Sequence, residues 1–308
     1  MAAIPWAERW SYTAPDGKLY DLSVPASVGR WVMSDDGTGL PEIDYITERG
    51  PAQHGATVTD FFLLPRVVQL LVRQQACNRD GYWANRAALL NGLRPNRQLT
   101  PGGVQPGVLR LRRGDGTVRC LDVFLTAGPK FEPRSLGQWD EFGFQEVLRF
   151  TAFNPVLYDP TSRQYVFAQV EEQLVFPVTF PIVFGGINAV GALTYAGTWL
   201  EYPTITITGP IEQPVISNLT TGEEIALDYD VPAGVVVTIT LTYGNKTVRD
   251  SLGNNLIGVV TPESELATWH LAPDPEAPDG VNTISVSGTG TNLNSAIALD
   301  WRARYIGM

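Results

Sequence analysis

The chain has 308 residues, of which 44% are hydrophobic and 18% charged, with a formal charge of −10 and two cysteines. That length is too great for one comfortable core and suits two domains. The acidic balance resists a phosphate backbone, and Cys77 and Cys120 lack the number and spacing of a metal site. No apolar run approaches a membrane span, and Met1-Ala2-Ala3-Ile4-Pro5-Trp6 is not a secretory signal, so folding in a cytosol is expected.

Trp6 to Tyr12, a turn at Pro15-Asp16-Gly17 and Leu19 to Leu22 predict a first hairpin. Its aromatics, with Trp31, read better as core than as a sugar site. Ser34 to Gly55 is polar and glycine-rich and is expected to be a long loop used in assembly. Thr57 to Val72 reads as one strand bent or bulged near Pro65. Asp80 to Leu93 is the one clear helix: Trp83, Ala87, Leu90 and Leu93 recur at helical spacing with Arg86 on the outer side. Asp80 or Asn78 caps it, and Gly92 with Pro95 ends it. Val104 to Leu125 is a hairpin around Gly114-Asp115-Gly116, and Glu141 to Phe153 is another strand.

Composition then shifts. Pro160 to Gln173 is polar, and Val175 to Phe184 is extended but interrupted by Pro177 and Pro181, which excludes a regular central strand. From Thr204 onward the chain is a series of short alternating runs: Thr204 to Gly209, Pro214 to Leu219, Glu224 to Tyr229, Val235 to Leu241 and Ile297 to Tyr305. In the last, Ile297, Leu299, Trp301, Ala303 and Tyr305 share one face, as in a half-buried antiparallel strand. Such strands at short spacing argue a β-sandwich. The fold class is therefore mainly β, an α+β N-terminal domain with one helix followed by an all-β C-terminal domain. The expected bounds are 1–160 and 201–308, with 161–200 as the ribbon between them.

Charge is unevenly spread. Residues 201–308 hold 4 Lys/Arg against 13 Asp/Glu, whereas Arg66 to Arg119 holds ten arginines and only Asp80 and Asp115 as acids. An arginine surface facing an acidic partner or a neighbouring subunit is one reading, a solvated helix and hairpin the other. On the first, the candidate contacts are Arg86, Arg94, Arg97, Arg110, Arg112 and Arg113.

Catalytic patterns are not apparent. His54 and His270 stand alone, and no nucleophile elbow, zinc-protease helix or phosphate loop is present. Asp228 with Asp230, and Glu263 with Glu265, read as solvated pairs. Asp274, Glu276 and Asp279 crowd a loop stiffened by three prolines, a poor calcium site. No enzyme, cofactor or metal is expected.

The helix Ala84 to Pro95, the arginine hairpin Leu109 to Gly116, the strand end Phe150-Thr151-Ala152-Phe153-Asn154-Pro155, then Pro203 to Gly209, Gly280 to Ile284 and Trp301 to Tyr305 form an ordered set. That set resembles the distal tail protein family, or minor tail proteins, of long-tailed phages with non-contractile tails. The resemblance covers nearly the whole chain. It implies an N-terminal β-sandwich with a helix that closes into a hexameric ring, and a galectin-like C-terminal sandwich projecting outward. It implies as partners further copies of the chain, the tail tube protein, the tip hub, the C-terminus of the tape measure protein and peripheral receptor-binding proteins, all at the tail tip of the virion. Two departures stand out: extra residues in Ser34 to Gly55 and Leu93 to Val108, and no room for the inserted sugar-binding modules of larger members. The alternative function is a carbohydrate-binding adhesion module that uses the C-terminal sandwich, with Tyr243 beside Asn245, or Trp269 beside His270, as its aromatic platform.

Overall fold

Alternating apolar residues bounded by Gly, Pro and Asn build, among the described residues, a chain that is mostly antiparallel strand with one α-helix. The computed structural model describes residues 8–23, 29–95, 103–131, 143–168 and 186–308, and these divide into two units, 1–160 with 305–308, and 161–304. The proline-interrupted stretch from Val175 to Phe184 lies outside the described residues, as does Trp6.

In the first unit, β1 (Arg9–Thr13) pairs with β2 (Leu19–Asp21) across the Pro15-Asp16-Gly17 turn. The strand β3 (Gly29–Asp36) follows. Ser34 to Gly55 is not the loop that its polar composition suggests. It contains β4 (Ile43–Glu48), paired with β5 (Thr57–Leu63) in a two-stranded sheet of their own. Nor is Thr57 to Val72 a single bent strand. Leu64-Pro65 separates β5 from β6 (Arg66–Gln75), which pairs with β3 and therefore lies in a different sheet. Proline supplies no N–H to continue a ladder, so the chain changes sheet there.

The helix α1 (Arg79–Leu93) starts on Asn78, whose side chain accepts from the Gly81 N–H at 2.8 Å. Its inner face is turned from the one that spacing suggests. Leu89, Gly92 and Leu93 are buried, while Trp83 and Leu90 are 51% and 44% exposed. Tyr82 sets this rotation by meeting Phe144 edge-on at 5.8 Å. Gly92 does not end the helix. It lies within it because Tyr20 packs there, and a Cβ at Gly92 would stand 2.3 Å from Tyr20 Cζ. The helix stops at Arg94, which is extended ahead of Pro95.

The next hairpin, β7 (Gly107–Arg112) with β8 (Val118–Ala127), turns at the predicted glycines, and β9 (Gly143–Ala152) follows. The long strand β8 pairs first with β7 and then with β9, giving the strand order β2-β1-β7-β8-β9-β6-β3. Trp10, Leu109, Leu111, Leu121, Val68, Leu70, Leu148 and Phe150 are buried, and the rings of Tyr12 and Phe150 meet at 5.4 Å. Burial pushes the Tyr12 hydroxyl up to about 12.

The division between units falls within β10 (Leu157–Ala168) and again near the end of the last strand. Part of the 161–200 stretch is thus regular strand in the second unit: the end of β10, and β11 (Ile187–Thr194). The remaining strands are β12 (Thr204–Thr208), β13 (Ile211–Asn218), β14 (Glu223–Ala226), β15 (Asp230–Val231), β16 (Val236–Thr240), β17 (Thr247–Asp250), β18 (Val281–Thr289) and β19 (Ala296–Tyr305). One sheet runs β17-β16-β12-β19 and the other β11-β18-β13-β14, with β15 also on β13. Ile205, Ile207, Val237, Ile239, Ile297 and Leu299 are fully buried in the first, and Ile216, Ile225, Ile284 and Val286 in the second. The predicted face of β19 is the buried one. Buried Asn282 ties the connections together. Its amide donates to Ala272 and Gly280 carbonyls and its oxygen accepts from the Ala272 N–H.

Candidate functional site

The arginines between Arg66 and Arg119 do not form one surface. Arg66 is 2% exposed and donates to four backbone carbonyls, those of Pro155, Gly37, Gly39 and Ile306. Arg119 is buried too, its guanidinium 3.4 Å from the centre of the Tyr305 ring. Of the candidate contacts, Arg86 is half-buried rather than outward: its guanidinium lies 3.8 Å from the Phe131 ring centre and 5.2 Å from that of Trp83. Arg113 is 3.8 Å from Asp115 at the hairpin turn. Arg94 is exposed past the helix end, and Arg110 and Arg112 are exposed on alternate positions of β7. Arg97 lies outside the described residues.

The β4–β5 ribbon is the surface that composition misses. Every residue of β4 except Ile43, and every residue of β5 except Leu63, is exposed. Its register places Ile43 opposite Leu63 and Tyr45 opposite Phe61 on one face, with Val58 following beyond a bulge. The Tyr45 and Phe61 rings are 6.5 Å apart. The period-two pattern was readable in the sequence, but apolar alternation cannot tell a buried strand from one with exposed faces.

In the second unit the two proposed aromatic platforms part company. Trp269 is fully buried in the core and offers no face to a sugar. Tyr243 is 73% exposed, and its ring lies 6.0 Å from that of Tyr202, which in turn stands 6.3 Å from the His270 ring. Lys246 Nζ sits 4.4 Å from the Tyr202 ring centre and donates to the Leu241 carbonyl. His270 Nδ1 lies 3.0 Å from Glu223 Oε2 and 2.9 Å from the Thr268 carbonyl oxygen. Tyr202 and Glu223 join this cluster through sheet geometry, with no signal in local sequence.

Among the described residues the paired carboxylates have structural partners. Glu265 accepts from the Glu224 N–H at 2.8 Å, a structural bond. Glu201 is buried and accepts from Arg304 Nε at 2.6 Å; burial pushes its proton affinity up and Arg304 opposes this. Among the described residues no three His, Cys, Asp or Glu side chains gather as a metal site, and no helix is long and apolar enough to cross a membrane.

No family model matches the chain, and no curated protein matches it in sequence. Solved structures do match. The chain is similar to the Dit (gp 19.1) protein of phage SPP1, described as a paradigm of the hub adsorption apparatus in phages that infect Gram-positive bacteria. The TM-score is 0.61 at 12% identity, over 97% of this chain and 99% of that one. It is also similar to a chain of the phage P2 baseplate in its activated conformation with Ca, with a TM-score of 0.50 at 10% identity, over 98% and 100%. At such identities the likeness is one of fold.

Proposed function

We propose that this protein is a structural subunit of a phage tail tip, one of six copies closing a ring that joins the tail tube to the tip hub and anchors peripheral tip proteins. The observation that carries this reading is the end-to-end fold likeness to the SPP1 hub protein, which spans both units rather than one common sandwich. A sandwich shared by itself would say little about role. On this reading the chain works by presenting surfaces, and its place is the tail of the virion. Its neighbours are further copies, the tube protein, the hub, the end of the tape measure protein and receptor-binding proteins.

Negative-stain microscopy with light scattering across a concentration series tests it. Open rings with the mass of six chains are expected; a different closed symmetry would refute the hexamer.

A second reading rests on Tyr243, Tyr202 and His270: a flat exposed ring beside polar groups is what the hydrophobic face of a sugar stacks on. Sugar binding on a glycan array that is lost in Tyr243→Ala would favour it, and an array without signal would remove it.

A further inference from the structure

We propose that His270 selects the ligand of the Tyr202–Tyr243 site through its Nε2 atom, and that this ligand is a neutral sugar presenting a hydroxyl to that lone pair. This rests on the sugar-binding reading of the second unit and names the class of sugar.

Backbone pairing brings the site together. Glu201 and Leu271 form an antiparallel bridge, the Glu201 N–H donating to the Leu271 carbonyl at 3.1 Å and the Leu271 N–H to the Glu201 carbonyl at 2.8 Å. Both residues are buried, so Tyr202 and His270, one step along on either side, turn to the other face as neighbours. The turn between β16 and β17 sets the exposed ring of Tyr243 and the ammonium of Lys246 around Tyr202. Glu223 opens β14, and its charge reaches both Tyr202 and Lys246.

His270 is fixed at its backbone and at its ring. Its carbonyl accepts from Asn218 Nδ2 at 2.8 Å, and its N–H donates to Glu223 Oε2 at 3.1 Å. The ring Nδ1 lies 2.9 Å from the Thr268 carbonyl oxygen and 3.0 Å from the same Glu223 oxygen. A carbonyl oxygen has no hydrogen and an ionised carboxylate has none, so the proton in these contacts sits on Nδ1. The neutral imidazole is then the tautomer whose Nε2 is a bare lone pair. Among the described residues no group donates to it, although the side chain is only 18% exposed. An acceptor this sheltered is left incomplete, and a ligand O–H completes it.

Charge separates neutral from acidic sugars. Around Tyr202 stand the Glu223 carboxylate, the His270 lone pair and one ammonium, that of Lys246, which already donates to the Leu241 carbonyl. A carboxylated or sulfated sugar would meet two acceptors on a stretch, 201–308, with 13 Asp/Glu against 4 Lys/Arg. A hydroxyl meets the acceptor it needs, while the C–H face of the same ring lies on Tyr243.

The test screens full-length protein on an array of neutral glycans beside sialylated, uronic and sulfated ones, and titrates the hits by calorimetry. Neutral glycans alone should bind. His270→Phe keeps a flat ring and removes Nε2, and it should weaken a neutral hit by about tenfold or more with the melting profile unchanged. Among the monodeoxy forms of that sugar, the one lacking the recognised hydroxyl should bind wild type and variant alike. Nitrogen-15 spectra of histidine-labelled wild type read the tautomer independently of any variant that fails to fold: His270 should hold its proton on Nδ1, and its Nε2 signal should move when the neutral hit is added. Binding confined to acidic glycans, a neutral hit that His270→Phe leaves unchanged, or a proton on Nε2 in the free neutral ring overturns the assignment to His270 and leaves the sugar reading. An array without signal overturns both.

Discussion

Replacing Arg66 with methionine should unfasten the first unit. The guanidinium is almost wholly buried and spends its N–H groups on four carbonyls: Gly37 and Gly39 between β3 and β4, Pro155 before β10, and Ile306 after β19. Burial lowers its proton affinity, although a guanidinium remains charged. Each such charge-assisted bond is worth about 1.5–3 kcal/mol, so four supply roughly 6–12 kcal/mol. Against this stands the desolvation of the cation, several kcal/mol that the variant recovers. A net loss on the order of 3–5 kcal/mol remains, or a fall of about 10 °C in the melting temperature of a unit this size. Calorimetry on wild type and variant reads that shift, and because the chain has two units, only one transition should move. Hydrogen exchange supplies the local check: the Met308 N–H, bonded to the Thr38 carbonyl at 3.1 Å, should lose protection. Arg66→Lys should fall between the two, since an ammonium keeps the charge but not the fork. A methionine variant melting within about 2 °C of wild type, with Met308 still protected, would refute this account.

Gly92→Ala should destabilise the chain even though alanine is the better helix former by about 1 kcal/mol. The new Cβ would run into the Tyr20 ring, an overpacking cost of roughly 1–3 kcal/mol, and Tyr20→Ala in the same chain should reverse the sign; denaturant midpoints decide it. Asp250 accepts from the Asn254 side chain and from the N–H groups of Asn254 and Leu252, which hold its carboxyl below the usual range. Its contribution is therefore complete above about pH 4 and lost as pH falls through its folded value, so Asp250→Asn should flatten the acid limb of a stability–pH curve. Glu201 has the opposite sign: its proton affinity is raised on folding, so its contribution falls as pH rises just above the ordinary carboxylate range. Glu201→Gln should flatten that limb instead.

The second unit was the most legible part of the chain. Its strands are short, strictly alternating and fenced by Gly, Pro and Asn, so period fixed both the element and its buried face, as Ile297 to Tyr305 illustrates. The helix was legible in extent but not in rotation, because Trp83 and Leu90 match the spacing as well as Tyr82 and Leu89 do, and only the contact of Tyr82 with Phe144 separates them. The ribbon was misjudged for a physical reason. Asp44, Thr47, Glu48, Gly50 and Gly55 lower the mean hydropathy of the segment, whereas a strand needs only alternate apolar positions, here Ile43 and Tyr45.

The arginines show why charge counts do not convert into sites. Ten in a row of fifty-odd residues suggest one basic face, yet four physical roles divide them. Arg66 is a buried crosslink among carbonyls, Arg119 and Arg86 lie on aromatic rings, and Arg113 closes a turn with Asp115. The first two roles use the planar fork and flat face of the guanidinium together with its charge, and lysine would fill them only in part. Arg94, Arg110 and Arg112 are exposed, Arg110 beside the Cys120 thiol of the paired strand, and they stay as the candidate contacts for an acidic partner. Position in the sheet makes that selection: alternation on β7 sends Leu109 and Leu111 inward and both arginines outward, so the strand that builds the core also displays the charge.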